Sequence, residues 1–163
     1  MSMSIKPETE KAIAALATRY PQKRAALIPA LIMVQNEIGS LPDAIQARVA
    51  QLLDLPAPQV KEVVTFYPML REHAIGKCHI EVCRTLSCAM RGSRTIVKKL
   101  EDELHVHAGE TTKDGLFTVG TVECLASCGS APAMLVNGDY VENVDWKIVE
   151  GILAKVRKGE KPL

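Results

Sequence analysis

Apolar residues recur at intervals of three and four between Pro7 and Pro68, and at every second position in short stretches beyond that. The first pattern predicts helices. Ile13, Leu16, Ala17 and Tyr20 share one face of a helix that opens at Pro7 and Glu8 and ends before Pro21. Leu27, Leu31, Val34 and Ile38 mark a second, stopped by Gly39. Pro29 falls inside it and should shift its start or kink it, because proline has no N–H to give the ladder. A third begins near Pro42 and presents Ile45, Val49 and Leu52. A fourth begins near Pro58 and presents Val60, Val63 and Val64. Connections this short imply neighbouring helices that run roughly antiparallel, as a small bundle over residues 1–72. No constellation of reactive side chains occurs there, so the bundle reads as a packing and docking module.

After Pro68 the period changes. Cys78, Ile80 and Val82 alternate with His79 and Glu81, the pattern of a half-buried strand. Ile96, Val97, Leu100 and Leu104 then return to helical spacing, with Ser93 placed to cap the helix. A polar connection over residues 106–115 leads to a second strand, Phe117 to Val122. Ala133 to Val136 and Tyr140 to Glu142 flank Asn137-Gly138-Asp139, a strong hairpin signal. Asn143 or Asp145 opens a last helix bearing Trp146, Val149, Ile152, Leu153 and Val156. A strand–helix–strand unit places its strands parallel through a right-handed crossover, so both strands end at the same edge of the sheet. Residues 73–163 therefore predict a small α/β domain. Its order fits a thioredoxin-like sheet with helices on each face; Pro132 is a candidate for the cis bond that such folds hold, although most X-Pro bonds are trans and the sequence leaves this one open.

Two cysteine loops follow the two predicted strands directly. One runs from Cys83 to Cys88 with four residues between them, the other from Cys124 to Cys128 with three. Parallel strands deliver both loops to one edge, where four thiolates make a soft, negatively charged cage suited to zinc or iron–sulfur. Structural zinc usually spaces its paired cysteines by two residues, and a redox dithiol does the same. The longer spacing favours an iron–sulfur group, read as 2Fe-2S, with a zinc-stabilised interaction module as the alternative. Gly92, Ala126 and Gly129 would let the backbone come close to the group, and Ser87, Ser127 and Ser130 could donate hydrogen bonds to it. Arg84, Arg91 and Arg94 either ease the arrival of an electron or form a solvated face. Cys78 is in phase with Ile80 and Val82 and reads as a small buried hydrophobe. His105 and His107 read as surface residues at a helix end.

Composition narrows the classes further. A chain of 163 residues with 47% hydrophobic content is long enough for a packed core, and a net charge of +1 offers no general attraction to nucleic acid. The N-terminal residues lack the apolar core of a signal peptide and the arginine pattern of a transit peptide. The longest apolar run, Ala25 to Val34, is too short to span a bilayer. A soluble intracellular protein is expected, with thiols kept reduced. No G-x-G-x-x-G fingerprint for a dinucleotide occurs.

The C-x4-C and C-x3-C pair carries the run Glu123-Cys124-Leu125-Ala126-Ser127-Cys128-Gly129-Ser130-Ala131-Pro132, followed by Asn137-Gly138-Asp139-Tyr140. Together these resemble the 24 kDa subunit family of respiratory complex I, the NADH:quinone oxidoreductase. Leu31 to Gly39 and Glu62 to Tyr67 resemble that family's helical stretches. The resemblance spans about Lys11 to Leu153. It implies a thioredoxin-like 2Fe-2S ferredoxin domain preceded by a small N-terminal helical bundle. It assigns the ligand roles to Cys83, Cys88, Cys124 and Cys128 and no catalytic residue to this chain. It further implies a flavoprotein partner that binds FMN and NADH, and a cytoplasmic site peripheral to the inner membrane. Related subunits of NAD-linked hydrogenases and formate dehydrogenases share these features.

Overall fold

The structure, a computed structural model, describes residues 4–163. They fall into two compact units divided between Ala74 and Ile75.

In the first unit, α1 (Pro7–Ala17) begins on a proline, whose missing N–H would have no intrahelical partner at that position. It ends at Ala17 with Thr18 as its cap, so Tyr20 lies beyond the helix and is partly exposed, contrary to the stripe predicted for it. A 3-10 turn over Lys23–Ala26 leads into α2 (Leu27–Ile38). Pro29 is the third residue of α2, in the turn where N–H groups have no acceptor, so the helix start has moved to suit it. Gly39 closes α2 with φ 93°, the left-handed conformation glycine adopts without strain. In α3 (Asp43–Leu53), Pro42 is the cap rather than the first helical residue. The fully buried residue at its end is Leu53, with Leu52 only partly covered. α4 (Ala57–Phe66) buries Val60 and Val64. Ile13, Leu27, Leu31, Val34, Ile45, Val49 and Leu53 form the core. Each such side chain contributes about 1.5–3 kcal/mol by leaving water. Buried Gln35 ties α2 to the following segment: its Nε2 donates to the Met69 carbonyl (2.9 Å) and its Oε1 accepts from the Arg71 N–H (2.7 Å).

The second unit is a four-stranded mixed sheet in the order β2-β1-β3-β4. β1 (Cys78–Cys83) and β2 (Phe117–Val122) are parallel, with Cys78 opposite Phe117 and Cys83 opposite Val122. β3 (Met134–Val136) runs antiparallel to β1 and pairs with β4 (Asp139–Val141) as a hairpin. Asn137 and Gly138 both take positive φ, 54° and 93°, as a two-residue turn matched to strand twist requires. Asn137 also accepts the His79 N–H on Oδ1 (2.8 Å) and donates to the Lys77 carbonyl (3.1 Å), fixing the hairpin to the start of β1.

Two helices were not placed by the sequence as the structure has them. A five-residue helix, α5 (Leu86–Met90), lies inside the first cysteine loop. The crossover helix α6 (Ser93–Leu104) is capped by Gly92 at φ 95°, so Ser93 is its first residue and not its cap. The Ser93 hydroxyl is buried without a hydrogen-bond partner. The last helix, α7 (Trp146–Arg157), is capped by Asp145, which accepts the Ile148 N–H at 2.8 Å. Residues of α6 and α7 join Ile80, Val82, Phe117, Val119, Met134 and Val136 in one core. The 106–115 connection does more than span a gap. Gly109, Glu110 and Thr112 exchange backbone hydrogen bonds with Phe117 and Val119 and cover that part of the outer edge of β2.

Candidate metal centre

Parallel pairing of β1 with β2 decides where the thiols go. Cys83 is the last residue of β1, and Cys124 comes two residues after the end of β2. The backbone seals this junction: the Arg84 N–H donates to the Val122 carbonyl (3.0 Å) and the Cys83 N–H to the Ala133 carbonyl (3.0 Å). Arg84 and Glu123, each next to a cysteine, form an ion pair across the two loops. Both side chains are largely exposed, so this pair is a weak stitch. Arg91 reaches from the first loop to the Ala131 carbonyl (3.3 Å), and the Ala131–Pro132 bond is cis. Cys83, Cys88, Ala131 and Ala133 form a small buried cluster, and Leu125 of the second loop packs on it.

The thiols divide by exposure. Cys83 and Cys88 are buried, at 1% and 4% exposure; Cys124 and Cys128 are exposed. Burial pushes the Cys83 thiol up, but hydrogen bonds outweigh it and hold the group below its usual range. They come from the Thr85 hydroxyl and N–H, from the Leu125 N–H and from Cys88. Cys88 goes the other way. Burial raises it, the Ala133 N–H opposes this, and the negative charges of Cys83 and Cys128 raise it again. The Thr85 Oγ1 lies 3.2 Å from the Cys83 Sγ, and the Ala126 N–H donates to the Cys124 Sγ at 3.4 Å. Ala126 takes φ 61° to do so. Cys128 opens a 3-10 turn through Ser130.

Spacing predicted four sulfurs meeting at one point. Among the described residues, no group of three or more His, Cys, Asp or Glu side chains is arranged to hold a metal ion. From the second loop, the groups that act on the buried sulfurs are the Leu125 N–H on Cys83 and the charge of Cys128 on Cys88. The donor chemistry nevertheless fits an iron–sulfur group. All four cysteines are free thiols, and backbone or hydroxyl hydrogens point at three of the sulfurs, Cys83, Cys88 and Cys124. Soft thiolates with hydrogen-bond donors around them are the ligand set such groups use.

Other expected participants lie elsewhere. Ser130 donates to Glu142 Oε1 (2.6 Å), and Ser127 also bonds Glu142, so both hydroxyls hold that carboxyl below its usual range instead of facing a thiol. A Cβ at Gly129 would meet no protein atom within 4 Å. His105 and His107 border an open cleft of ≈ 760 Å³ along α6 with Arg84, Arg94 and Lys98, and no cysteine lines it. Cys78 is fully buried in the sheet core, and burial pushes its thiol up to about 11. Cys78→Ala should leave the visible spectrum of the loaded protein unchanged and cost about 1 kcal/mol of stability through a small cavity. Absorption and a urea melt test this, and lost colour would overturn the ligand assignment.

The family described as thioredoxin-like 2Fe-2S ferredoxin matches residues 13–157. The second E subunit of the NADH-quinone oxidoreductase of Rhizobium meliloti (strain 1021) is 41% identical over 149 residues, which are 91% of this chain and 89% of that protein. The corresponding E subunit of Rickettsia bellii (strain RML369-C) is 38% identical over 85% of each chain. Among solved structures, the fold is similar to that of an NAD+-reducing NiFe-hydrogenase in its H2-reduced state. The TM-score is 0.71 at 20% identity, over 81% of this chain and 22% of the hydrogenase chain. At that identity the likeness speaks for the fold. The thiol-bearing rim of a parallel strand pair, the thioredoxin-like sheet and the near full-length relatives agree: the chain belongs to the thioredoxin-like 2Fe-2S ferredoxin family, in the branch of the NADH-quinone oxidoreductase E subunits.

Proposed function

We propose that this chain carries one 2Fe-2S cluster on Cys83, Cys88, Cys124 and Cys128. Within an NADH:quinone oxidoreductase, it exchanges single electrons with the FMN of a partner flavoprotein. The observation that carries the reading is the β1–β2 register, in which Cys83 stands opposite Val122 and both cysteine loops leave the same sheet edge. Such a cluster supplies a one-electron site at low potential. The chain's own residues supply the rest. Four thiolates give the charge and softness that iron requires. Buried Cys83 and Cys88 hold one side away from water, and exposed Cys124 and Cys128 leave the other side open to a partner. Arg91 ties the first loop to the Ala131 carbonyl and so limits the rim's movement. NADH and flavin belong to the partner on this reading, in keeping with a chain that has no dinucleotide fingerprint.

The partner's docking surface includes α5. Leu86 and Met90 are four residues apart on that helix, 75% and 79% exposed, and Cys88 lies between them in sequence. Large apolar side chains left in water beside a redox group suit the centre of an interface. Leu86→Glu with Met90→Glu should weaken capture of the flavoprotein by at least about tenfold, as loss of an apolar anchor does. The cluster content should not change. Co-purification at native yield would remove this face from the interface. The helical unit, residues 1–72 in our reading, serves as a second docking module. The chain works on the cytoplasmic face, peripheral to the inner membrane. Among the described residues, no helix is long and apolar enough to cross a membrane.

The direct test is elemental analysis with electron paramagnetic resonance of the purified protein. The expected result is two irons and two sulfides per chain and a signal that appears only on reduction. One zinc and no colour would instead support the interaction module.

A further inference from the structure

We infer that Thr85 tunes the reduction potential of the metal group by donating its hydroxyl hydrogen to the Cys83 sulfur. Thr85 immediately precedes α5, where threonine ordinarily accepts an N–H of the first helical turn. Here it makes no such bond, although its φ of −80° and ψ of 170° are those of a capping residue. Its Oγ1 lies instead 3.2 Å from the Cys83 Sγ. Among the described residues, it is the one side-chain hydroxyl bonded to a cysteine of either loop.

The direction of that bond follows from the chemistry. A free thiol could donate to the hydroxyl, but a thiolate ligand has no proton, so the hydroxyl must be the donor. Cys83 is buried, so water cannot easily replace the hydroxyl, and the bond acts in a medium of low dielectric. A donor to a ligand sulfur stabilises negative charge. An added electron increases that charge, so the donor favours the reduced form and raises the potential. The backbone N–H groups that also face Cys83 have the same sign of effect, but they are set by the fold. Thr85 is the donor that a side-chain substitution can remove.

This inference rests on Cys83 being a ligand, and iron and sulfide analysis of the unaltered protein tests that assumption separately. Thr85→Val keeps the branched shape and removes the hydroxyl; Thr85→Ser keeps the hydroxyl. A redox titration followed by electron paramagnetic resonance reads the outcome. Thr85→Val should make reduction about tenfold less favourable, which is about 59 mV for a one-electron couple. Thr85→Ser should stay within about threefold of native, or about 30 mV. Equal potentials in native and Thr85→Val proteins would overturn the inference, as would an equal shift in both variants. Electron–nuclear double resonance on the reduced proteins gives a second readout should Thr85→Val fail to load. Native and Thr85→Ser proteins should share one D2O-exchangeable proton coupling that Thr85→Ala lacks, over and above the backbone N–H couplings common to all three. An unchanged set of exchangeable couplings in Thr85→Ala would overturn the inference.

Discussion

Cys83→Ser and Cys124→Ser should each bleach the protein. Losing a hydrogen-bond partner outside the ligand shell commonly lowers metal affinity by roughly 10–100-fold. Replacing a ligand sulfur with a harder, less acidic hydroxyl should exceed that. The two sites test different things. Cys83 is buried at the end of β1, so its serine leaves the backbone donors of Thr85 and Leu125 facing a weaker acceptor. Cys124 is exposed, and its loss removes a ligand without disturbing the packed cluster of Cys83, Cys88, Ala131 and Ala133. Iron and sulfide content with the visible spectrum measures both, and native colour in the pair would end the four-cysteine assignment. Circular dichroism should remain native for Cys124→Ser, which separates lost iron from lost fold.

Gly76→Ala should strongly destabilise the sheet unit, although the position lies away from the thiols. A Cβ built there would lie 2.8 Å from the backbone carbon and nitrogen of Phe117 and 2.9 Å from the Leu116 carbonyl carbon. Backbone atoms inside a paired strand cannot swing aside as a side chain can. The Gly76 N–H also donates to the buried Thr118 hydroxyl (2.7 Å), which in turn meets the Thr111 hydroxyl (2.8 Å). Moving Gly76 outward therefore breaks that chain of hydrogen bonds. Overpacking of this kind costs typically 1–3 kcal/mol, and the rigid obstacle places this case near about 3. For a unit of this size, the melting temperature should fall by about 10–20 °C. A thermal melt by circular dichroism reads it, and a fall of under about 2 °C would mean that the strand yields more easily than its packing implies.

Particular residues show which features the sequence made legible. Cys78, Ile80 and Val82 announced β1 because alternation has one structural meaning. A helix between two strands then fixed their parallel sense, and with it the common edge for both cysteine loops. Asn137-Gly138 gave the hairpin because few other dipeptides accept two positive φ values. α5 escaped notice because a five-residue helix with Leu86 and Met90 in solvent has no buried stripe to read. Ser93 was misplaced by one position because both serine and glycine serve as caps, and the adjacent Gly92 took the role. Ser127 and Ser130 were expected near the sulfurs, but Glu142, distant in sequence, claims them. Thr85 carried a faint signal, a hydroxyl two residues after a cysteine at a strand end. The structure places that hydroxyl 3.2 Å from the Cys83 sulfur.

The parallel crossover has a consequence for how the protein comes to be loaded. The proposed half-sites Cys83–Cys88 and Cys124–Cys128 lie on opposite sides of α6 in the chain and become neighbours only once that helix has docked. Acquisition of iron and closure of the crossover are therefore legs of one thermodynamic cycle. An occupied rim shields the crossover from unfolding, because the inorganic group holds to the docked arrangement and not to the opened chain.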